Sequence, residues 1–343
     1  MSKDITIYDI AEKFDVSAST VSRALKDHKS IGKKTREAIK QYASEMGYQV
    51  NSVAANLRSR KTNTFGVIVS WINRPFISSL ISGIETVANN NGFNVIISQT
   101  RDQYDREVAN AFAMFQGRVE GLIVSLAMES VRYDHFDQFI SSKVPLVFVD
   151  RVPEETLADK VIIDNFKAGF VATEHLIELG CRRIAHIGGS QSRYIYRERQ
   201  EGYLEALRKH GLAPDEGIIR HTQSLYAEEA NAISSELLEL PQRPDGFFCA
   251  NDTSAVSVIQ CARKKDIAVP EDLKVVGFND DPVATIIDPP LTTISHPAIR
   301  MGQIAAEHIL NKTASKDPEV VTLETELIVR QSSVIAPQNI VMP

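Results

Sequence analysis

Apolar runs alternate with amphipathic stretches from Thr64 almost to the end of the chain, and this alternation restricts the fold more than any other feature. Four of the runs predict strands, at 65–70, 93–98, 121–126 and 146–149, and the first of these is expected to be buried. The stretches at about 76–91 and 106–116 predict helices between them. Strands that are apolar on both faces must be covered on both faces, so the pattern predicts a doubly wound parallel sheet with helices on either side.

The same pattern begins again near residue 161 and predicts a second α/β lobe. Its strands are expected at 161–163, 184–187, 217–220, 246–249 and 273–277, and its helices at 169–179, 227–239 and 253–264. The tail predicts a helix at about 300–311 and one strand near 323–329. Either tail element can belong to the opposite lobe.

The loops that follow these strands carry the polar side chains that matter most. Ligands of parallel sheets bind outside the carboxyl ends of the strands. The loops in that position are 70–76, 150–151, 188–199, 250–252 and 278–281, and they contain aromatic, Asn, Asp and Arg residues. Carboxylates and amides bind hydroxyl groups, and Arg donates as a fork, so the loops suit a polyhydroxyl ligand.

The N-terminal stretch from Thr6 to Leu25 has a different period and predicts two short helices joined by a turn. In the first helix, Thr6 stands at the N-cap with Asp9 three residues later, and the apolar positions recur at helical spacing: Ile7, Ile10, Ala11 and Phe14. Ser17 caps the second helix, whose inward residues are Val21, Ala24 and Leu25.

The outward face of the second helix is small or polar around one long cation: Ala18, Ser19, Ser22 and Arg23. Small side chains let a helix approach base edges in the major groove, and an arginine can pair with guanine through two hydrogen bonds. The stretch therefore predicts a helix-turn-helix with residues 17–25 in DNA. An ordinary helical hairpin is the alternative for these residues alone.

Two further segments complete the N-terminal region. A third helix is expected from about Lys33 to Met46, with a buried stripe of Ala38, Ile39, Tyr42 and Met46. Residues 51–59 follow at helical spacing, but a segment of about two turns is marginal alone. It suits a hinge helix that folds on DNA, where an apolar wedge such as Leu57 can enter a minor-groove step. The alternative interpretation is that residues 51–59 form a flexible linker.

The distribution of charge agrees with a phosphate-binding head. The whole chain of 343 residues has a net charge of −6, but residues 1–61 hold 12 basic and 7 acidic residues. The remaining residues hold 26 basic and 37 acidic ones. A basic head on an acidic body is what a DNA-binding module on a separate sensor needs.

Several classes of protein find no support in the sequence. The first residues lack an apolar signal core, and no run approaches the roughly 20 apolar residues that span a bilayer, so we expect a cytoplasmic protein. Three cysteines, Cys181, Cys249 and Cys261, lack metal-ligand spacing, and we expect neither metal nor cofactor. Gly188 and Gly189 belong to no nucleotide-binding fingerprint, and no hydrolase or zinc motif is present, so no catalytic residue is assigned.

The residues now described resemble the lac repressor family (LacI/GalR type) of bacterial transcription regulators. The likeness begins with TIYDIAEKFDVSASTVSRAL, the third helix ending MGY, and SVAANLR. It continues through FGVIVS, NRPFISSLISGIE, HLIELGCRRIAHIGG, RERQEGY, ANDTSAV and VVGFNDDPVATIIDPPLTTI, and so covers nearly the whole chain.

The resemblance implies a homodimer, with tetramers left open, on a palindromic operator, and it assigns DNA-contact residues. Ala18, Ser19 and Arg23 would face bases, and Leu57 would be the intercalating hinge residue. Residues on the phosphate side, which set register and carry little sequence information, would be Tyr8, Ser17, Thr20, Ser22 and Asn51.

The resemblance also implies a small-molecule effector between the two lobes. The residues at or near the positions that line that cleft in relatives are Phe76, Asp150, Arg193, Arg199, Asn251 and Asn279, with Asp280 adjacent. Many relatives have Asp where this chain has Asn279, which puts that direct carboxylate contact in doubt. Ile195 is apolar where a purine-responsive relative has a hydroxyl, so a sugar or sugar derivative is favoured over a purine.

The expected organisation is a helix-turn-helix domain at 1–49, a hinge at 50–61 and a sensor at 62–337. Lobe 1 would hold about 62–162 and 293–321, and lobe 2 about 163–292 and 322–337. We expect a repressor switched by its effector. The alternatives are the same regulator controlled by a protein partner, a cytoplasmic sugar-binding protein, and an enzyme.

Overall fold

The computed structural model describes residues 5–48, 62–155, 158–311 and 317–335. The chain divides into two compact units, Met1–Thr62 and Asn63–Pro343. The first unit contains the head, and the second contains two sheets that form two lobes.

The head consists of three helices around one small core. They are α1 (Ile7–Lys13), α2 (Ala18–Leu25) and α3 (Lys33–Glu45). Thr6 and Asp9 form a reciprocal capping box at the start of α1, and the Ser17 side chain accepts from the Thr20 amide at the start of α2. The fully or nearly buried residues come from all three helices: Ile10, Ala11, Val21, Ala24, Ile39 and Ala43.

The predicted buried stripe of α3 was half right. Ile39 is buried and Tyr42 packs against the core, but Ala38 is exposed and Met46 is half exposed. Ala43 takes the buried place instead. Because α1 and α2 pack on one narrow side of α3, the residues of α3 that pack against the core are Ile39, Tyr42 and Ala43 rather than the wider stripe that the sequence predicted.

The first lobe is built on a parallel sheet of six strands, in the order β11-β5-β4-β3-β1-β2. The strands are β1 (Thr64–Val69), β2 (Asn94–Gln99), β3 (Gly121–Val124), β4 (Leu146–Val149), β5 (Asp159–Ile163) and β11 (Val320–Leu323). The helices of this lobe are α4 (Pro75–Asn90), α5 (Tyr104–Gln116), α6 (Asp137–Ser141) and α12 (Ala298–Asn311). Three of the six strands, β1, β3 and β4, are buried along their whole length, as the unbroken apolar runs required, whereas the edge strand β2 is partly exposed.

The second lobe repeats this plan in the order β12-β10-β9-β8-β6-β7, with β12 antiparallel at the edge. Its strands are β6 (Ile184–Gly188), β7 (Ile219–His221), β8 (Gly246–Cys249), β9 (Lys274–Asn279), β10 (Thr292–Ser295) and β12 (Leu327–Ile328). Its helices are α7 (Asn165–Glu178), α8 (Tyr194–Lys209), α9 (Ala227–Leu238), α10 (Asp252–Lys264) and α11 (Val283–Ile286).

The chain crosses between the lobes after β5, after β10 and after β11. Both β10 and β11 continue past the expected lobe boundaries at 292 and 321. The single strand predicted near 323–329 was wrong, because β11 pairs with β5 in the first sheet and β12 pairs with β10 in the second. A hydrophobic pattern marks a strand but does not say which sheet it joins.

Helices α7 and α8 approach each other unusually closely on the second lobe. A Cβ added to Gly169 would crowd the backbone of Arg199, and one added to Gly202 would crowd the backbone of Phe166. The absence of both side chains lets the two helix backbones touch. This crossing fixes the position of Arg199, which matters for the site below.

Candidate functional site

A cavity of about 210 Å³ lies between the lobes, at the carboxyl ends of the strands of both sheets. Many of the side chains that line it come from the loops that the sequence singled out. The lining residues are Ser70, Asn73, Arg74, Pro75, Phe76, Ile77, Asp150, Arg151, Ile195, Tyr196, Arg199, Leu225, Tyr226, Ala250, Asn251, Thr253, Asn279, Asp281 and His296.

Five of the seven predicted effector residues line this cavity: Phe76, Asp150, Arg199, Asn251 and Asn279. Phe76 is in the first turn of α4, and Asn251 caps α10 by accepting from the Ser254 amide. Asp150 follows β4 with φ 61°, and Asn279 ends β9 with φ 112°. Left-handed backbone at non-glycine residues is strained and concentrates at functional sites, which agrees with a ligand-binding role for both.

Arg199 is buried and held by three protein groups. Its Nε donates to Asn165 Oδ1 at 2.9 Å, its Nη1 donates to the Ala250 carbonyl at 2.8 Å, and its guanidinium lies 3.5 Å from the Phe278 ring centroid. Among the described residues, Nη2 has no hydrogen-bond partner. Burial lowers the pKa of Arg199, which still stays far above neutrality for a guanidinium. A fixed cation therefore offers one free donor to the cavity.

The Asp150 carboxylate is 8% exposed and accepts no hydrogen bond from the described part of the chain. The titratable nitrogen nearest to this carboxylate is His296 Nε2, which lies 3.8 Å from Oδ1. Burial raises the pKa of Asp150, although Arg151 and Arg199 act against this rise. A buried carboxylate without hydrogen bonds is costly, so the site is arranged for a partner that the protein alone does not supply.

His296 and Phe76 form the wall beside this carboxylate. The two rings stack with centroids 4.1 Å apart, and Asn279 Oδ1 lies 3.3 Å from His296 Nδ1. Burial lowers the pKa of His296 well below its ordinary value of 6.5, so the imidazole is neutral near pH 7. His296 Nε2 is buried without a hydrogen-bond partner in the described structure.

The other two predicted effector residues lie away from this cavity. Arg193 is buried before α8, and its Nη2 donates to the Ser130 carbonyl of the first lobe. Asp280 is paired with Arg330, with 2.7 Å between Oδ1 and Nη2, and lines a neighbouring cavity of about 380 Å³. Both side chains are thus engaged by the protein in this structure.

Sequence reasoning did not single out several cavity residues that the fold brings in, among them Arg74, Arg151, Tyr196 and Tyr226. Arg151 Nη1 pairs with Asp102 Oδ1 at 2.5 Å, and its Nη2 donates to the Tyr196 hydroxyl at 3.3 Å. Arg74 and Arg151 were inside loops marked as ligand-facing, so that signal was present. Tyr226 lies in a loop after β7 for which no signal was recognised.

Asp252 supports the loop that carries Asp281 to the cavity. Asp252 accepts from the Thr293 hydroxyl at 2.6 Å and from the Asp281 amide at 2.7 Å. Burial raises the pKa of Asp252 to about 8, and burial together with the neighbouring Asp280 raises the pKa of Asp281 to about 6. Asp252 therefore holds the loop after β9 in place, while Asp281 faces the cavity.

The candidate DNA-facing residues of the head lie along α2 and at the start of α1, and not all of them face solvent. Ser17, Ser19 and Arg23 are exposed, and Tyr8 is 65% exposed. Ala18, Thr20 and Ser22 are half-buried, and Ala18 packs against the head core. Ser17 Oγ is 2.8 Å from Ser19 Oγ and 3.0 Å from Thr20 Oγ1. The predicted contacts Asn51 and Leu57, and the hinge at 50–61, lie outside the described residues.

The described ranges contain neither a cluster of metal-ligating side chains nor a helix suited to a bilayer. Among residues 5–48, 62–155, 158–311 and 317–335, no group of three or more His, Cys, Asp or Glu side chains is arranged to hold a metal ion. In the same ranges, no helix is both long and apolar enough to span a bilayer.

A helix-turn-helix head joined to a two-lobed domain with a cleft between its sheets defines a class, that of DNA-binding regulators with a sensor resembling a periplasmic binding protein. Residues 6–51 match the family described as bacterial regulatory proteins, lacI family, and residues 173–333 match the periplasmic binding protein-like domain. The chain belongs to the lacI family of bacterial regulatory proteins.

Full-length relatives agree with this assignment. The HTH-type transcriptional repressor PurR of Vibrio atlanticus (strain LGP32) is 30% identical over 331 residues, which cover 95% of this chain and 98% of the relative. A solved lac repressor dimer bound to operator and the anti-inducer ONPF has a TM-score of 0.85 at 25% identity, with 97% and 100% of the two chains covered. A transcriptional regulator CelR-cellobiose complex has a TM-score of 0.71 at 31% identity, with 96% and 100% covered.

Proposed function

We propose that this protein is a transcriptional repressor that binds a palindromic operator as a homodimer and is switched by a sugar or sugar derivative in the interlobe cavity. The observation that supports a small-molecule effector is that two groups line the same cavity: the Asp150 carboxylate, which accepts no hydrogen bond from the described residues, and Arg199, whose Nη2 is free to donate. As a DNA-binding regulator it would act in the cytoplasm.

The chemistry of the cavity favours a polyhydroxyl ligand. Asp150 offers acceptor oxygens, Arg199 Nη2 offers a donor, and the Asn279 amide offers both, so adjacent hydroxyl groups can be bound in pairs. Phe76 supplies an aromatic face beside these groups. The lac repressor and CelR structures are complexes with ONPF and cellobiose, which supports a carbohydrate effector for this relative.

Two groups of side chains in the head support DNA binding. The Arg23 side chain extends from α2 and makes no hydrogen bond or ion pair in the described structure, and it would read a base edge. The hydroxyl groups of Ser17, Ser19 and Thr20 stand at the start of α2, where phosphate oxygens are bound by helix N-termini.

A second copy of the chain would cover an apolar edge of the first lobe. Strand β2 forms the edge of the first sheet, and Ile96 and Ile97 on it are 50% and 43% exposed. Phe112, on the neighbouring α5, is 57% exposed. An uncovered edge strand with apolar side chains invites pairing or aggregation, and a homodimer would remove that liability.

The switch would operate by linkage. Effector binding between the lobes favours one angle between them, and that angle sets the spacing of the two hinge segments in the dimer. The free energy available to the switch is the difference between the effector affinities of the DNA-competent state and the other state.

The test begins with operator selection from random double-stranded DNA, followed by thermal melts against sugars and sugar acids. A ligand at about 100 times its Kd stabilises the sensor by about 2.7 kcal/mol, which is visible as a shifted melt. Titration of the selected DNA with and without the hit then gives the direction of the switch. Selection that returns no common sequence would overturn the proposal, and so would a sugar hit that leaves DNA affinity unchanged.

A further inference from the structure

We propose that Trp71, Arg74 and Tyr226 form a gate between the lobes that limits the effector to a single sugar ring. The inference rests on the proposed function and goes further, because it assigns the size of the ligand and the residues that set it. The gate is the contact of one loop from each lobe beside the cavity.

Three contacts join the two sides of the gate. Arg74 Nη2 of the first lobe donates to the Ser224 carbonyl of the second at 2.7 Å. The same guanidinium lies 5.0 Å from the centroid of the Tyr226 ring. Trp71 meets Tyr226 edge to face, with centroids 6.0 Å apart. A hydrogen bond and two ring contacts therefore exist only when the lobes are closed to this angle.

The second-lobe side is a rigid loop at 223–226. The Glu229 carboxylate accepts from the Gln223 amide at 2.6 Å and from the Ser224 amide at 3.2 Å. Leu225 has φ 57°, and its carbonyl accepts from Asn251 Nδ2 at 3.2 Å. The loop is thus fixed to helix α9 and to a cavity residue, so Tyr226 is presented in one position.

The first-lobe side is equally fixed. Trp71 Nε1 donates to Asp102 Oδ2 at 3.0 Å, and the Arg101 guanidinium lies 5.9 Å from the Trp71 ring. Asp102 also accepts from the Met128 amide at 3.1 Å and is paired with Arg151 at 2.5 Å. Since both halves are held by their own lobes, the gate closes by lobe movement rather than by folding of a loop.

Closure of this gate sets the size of the cavity. Arg74 and Tyr226 both line it, and its volume is about 210 Å³. Pockets for drug-sized ligands occupy roughly 300–1,000 Å³, so the closed cavity has room for one ring and not for two. On this side of the cavity, a second ring linked to the first would have to pass between Arg74 and Tyr226 and would break their contacts.

The test compares matched one-ring and two-ring sugars on the full chain: glucose with cellobiose, galactose with lactose, and glucuronate as a one-ring acid. Melts and titration calorimetry give Kd values for the wild type, Tyr226→Ala and Ile72→Ala. Ile72 is an exposed residue of the Trp71 loop outside the cavity lining, so Ile72→Ala is the matched control. Trp71 is the only tryptophan in the sequence, so its emission reports contact with Tyr226 directly.

In the wild type and in Ile72→Ala, a one-ring sugar binds and its two-ring counterpart is at least about 100-fold weaker. In Tyr226→Ala this ratio falls by about tenfold or more, and the ligand-induced change in Trp71 emission is lost. A wild-type protein that binds a disaccharide as tightly as its monosaccharide overturns the gate and leaves the proposed function standing. A folded Tyr226→Ala with an unchanged ratio also overturns the gate. Failure of every sugar with every variant overturns the effector part of the proposed function and the gate together.

Discussion

Replacing Gly169 by alanine tests whether the crossing of α7 and α8 positions the effector site. A Cβ at this position would lie 2.9 Å from both the carbonyl carbon and the Cα of Arg199, and closer still to its carbonyl oxygen. Carbon atoms in contact are normally about 3.5–4.0 Å apart, so the helices must separate by roughly 1 Å. The crowded atoms are backbone, so no side chain can rotate away.

Separation of the two helices should lower both the stability of the protein and its affinity for effector. Overpacking of this kind costs about 2–3 kcal/mol, and alanine gains about 1 kcal/mol over glycine within a helix. The net loss of roughly 1–2 kcal/mol corresponds to a fall in Tm of about 2–8 °C. A displacement of Arg199 by roughly 1 Å would also break the charge-assisted bond to ligand that we propose for it, and effector binding should weaken by about 10–100-fold.

The assay is a thermal melt of Gly169→Ala and of the control Glu178→Ala, each with and without the sugar found in the screen. Glu178 is exposed on the same helix, so its replacement leaves both Tm and the ligand-induced shift near wild type. A Gly169→Ala protein with the wild-type Tm and wild-type effector affinity would refute the argument from close helix contact.

The remaining predictions concern one residue each. Arg23→Ala should cost about 1–3 kcal/mol on the selected operator and relax one base position; equal losses on random DNA would refute base reading. Asp150→Asn should weaken effector binding while raising the Tm of the ligand-free protein, because it removes a buried carboxylate that lacks hydrogen bonds; a lower Tm would contradict this. Burial lowers the pKa of His186 from 6.5 to about 3, so below pH 6.5 the unfolded chain binds a proton that the folded chain excludes. The wild type should lose about 2 kcal/mol more unfolding free energy than His186→Phe between pH 7 and pH 5, as measured by urea denaturation. Equal losses in the two proteins would show that His186 is not the source of this pH dependence.

Much of the fold was predictable because its signals are local. The capping residues Thr6 and Ser17 start the first two helices of the head as expected, and the apolar runs became the strands of two largely parallel sheets. The loops at the carboxyl ends of those strands supplied five of the predicted residues of the cavity. Periodicity, capping and strand burial depend on neighbours in the chain, so they can be found there.

What remained unpredictable depends on contacts between distant segments. The sequence by itself determined the helix-turn-helix, the two α/β repeats and the polar loops, because each follows from the order of residue types. Only the tertiary structure decided that Arg193 turns to the Ser130 carbonyl, that Asp280 pairs with Arg330, and that Tyr226 meets Arg74 across the cleft. These pairs join residues 50 to 152 positions apart along the chain. Which partner a polar side chain finds at such separations is set by how the lobes and helices pack, and no local pattern records it.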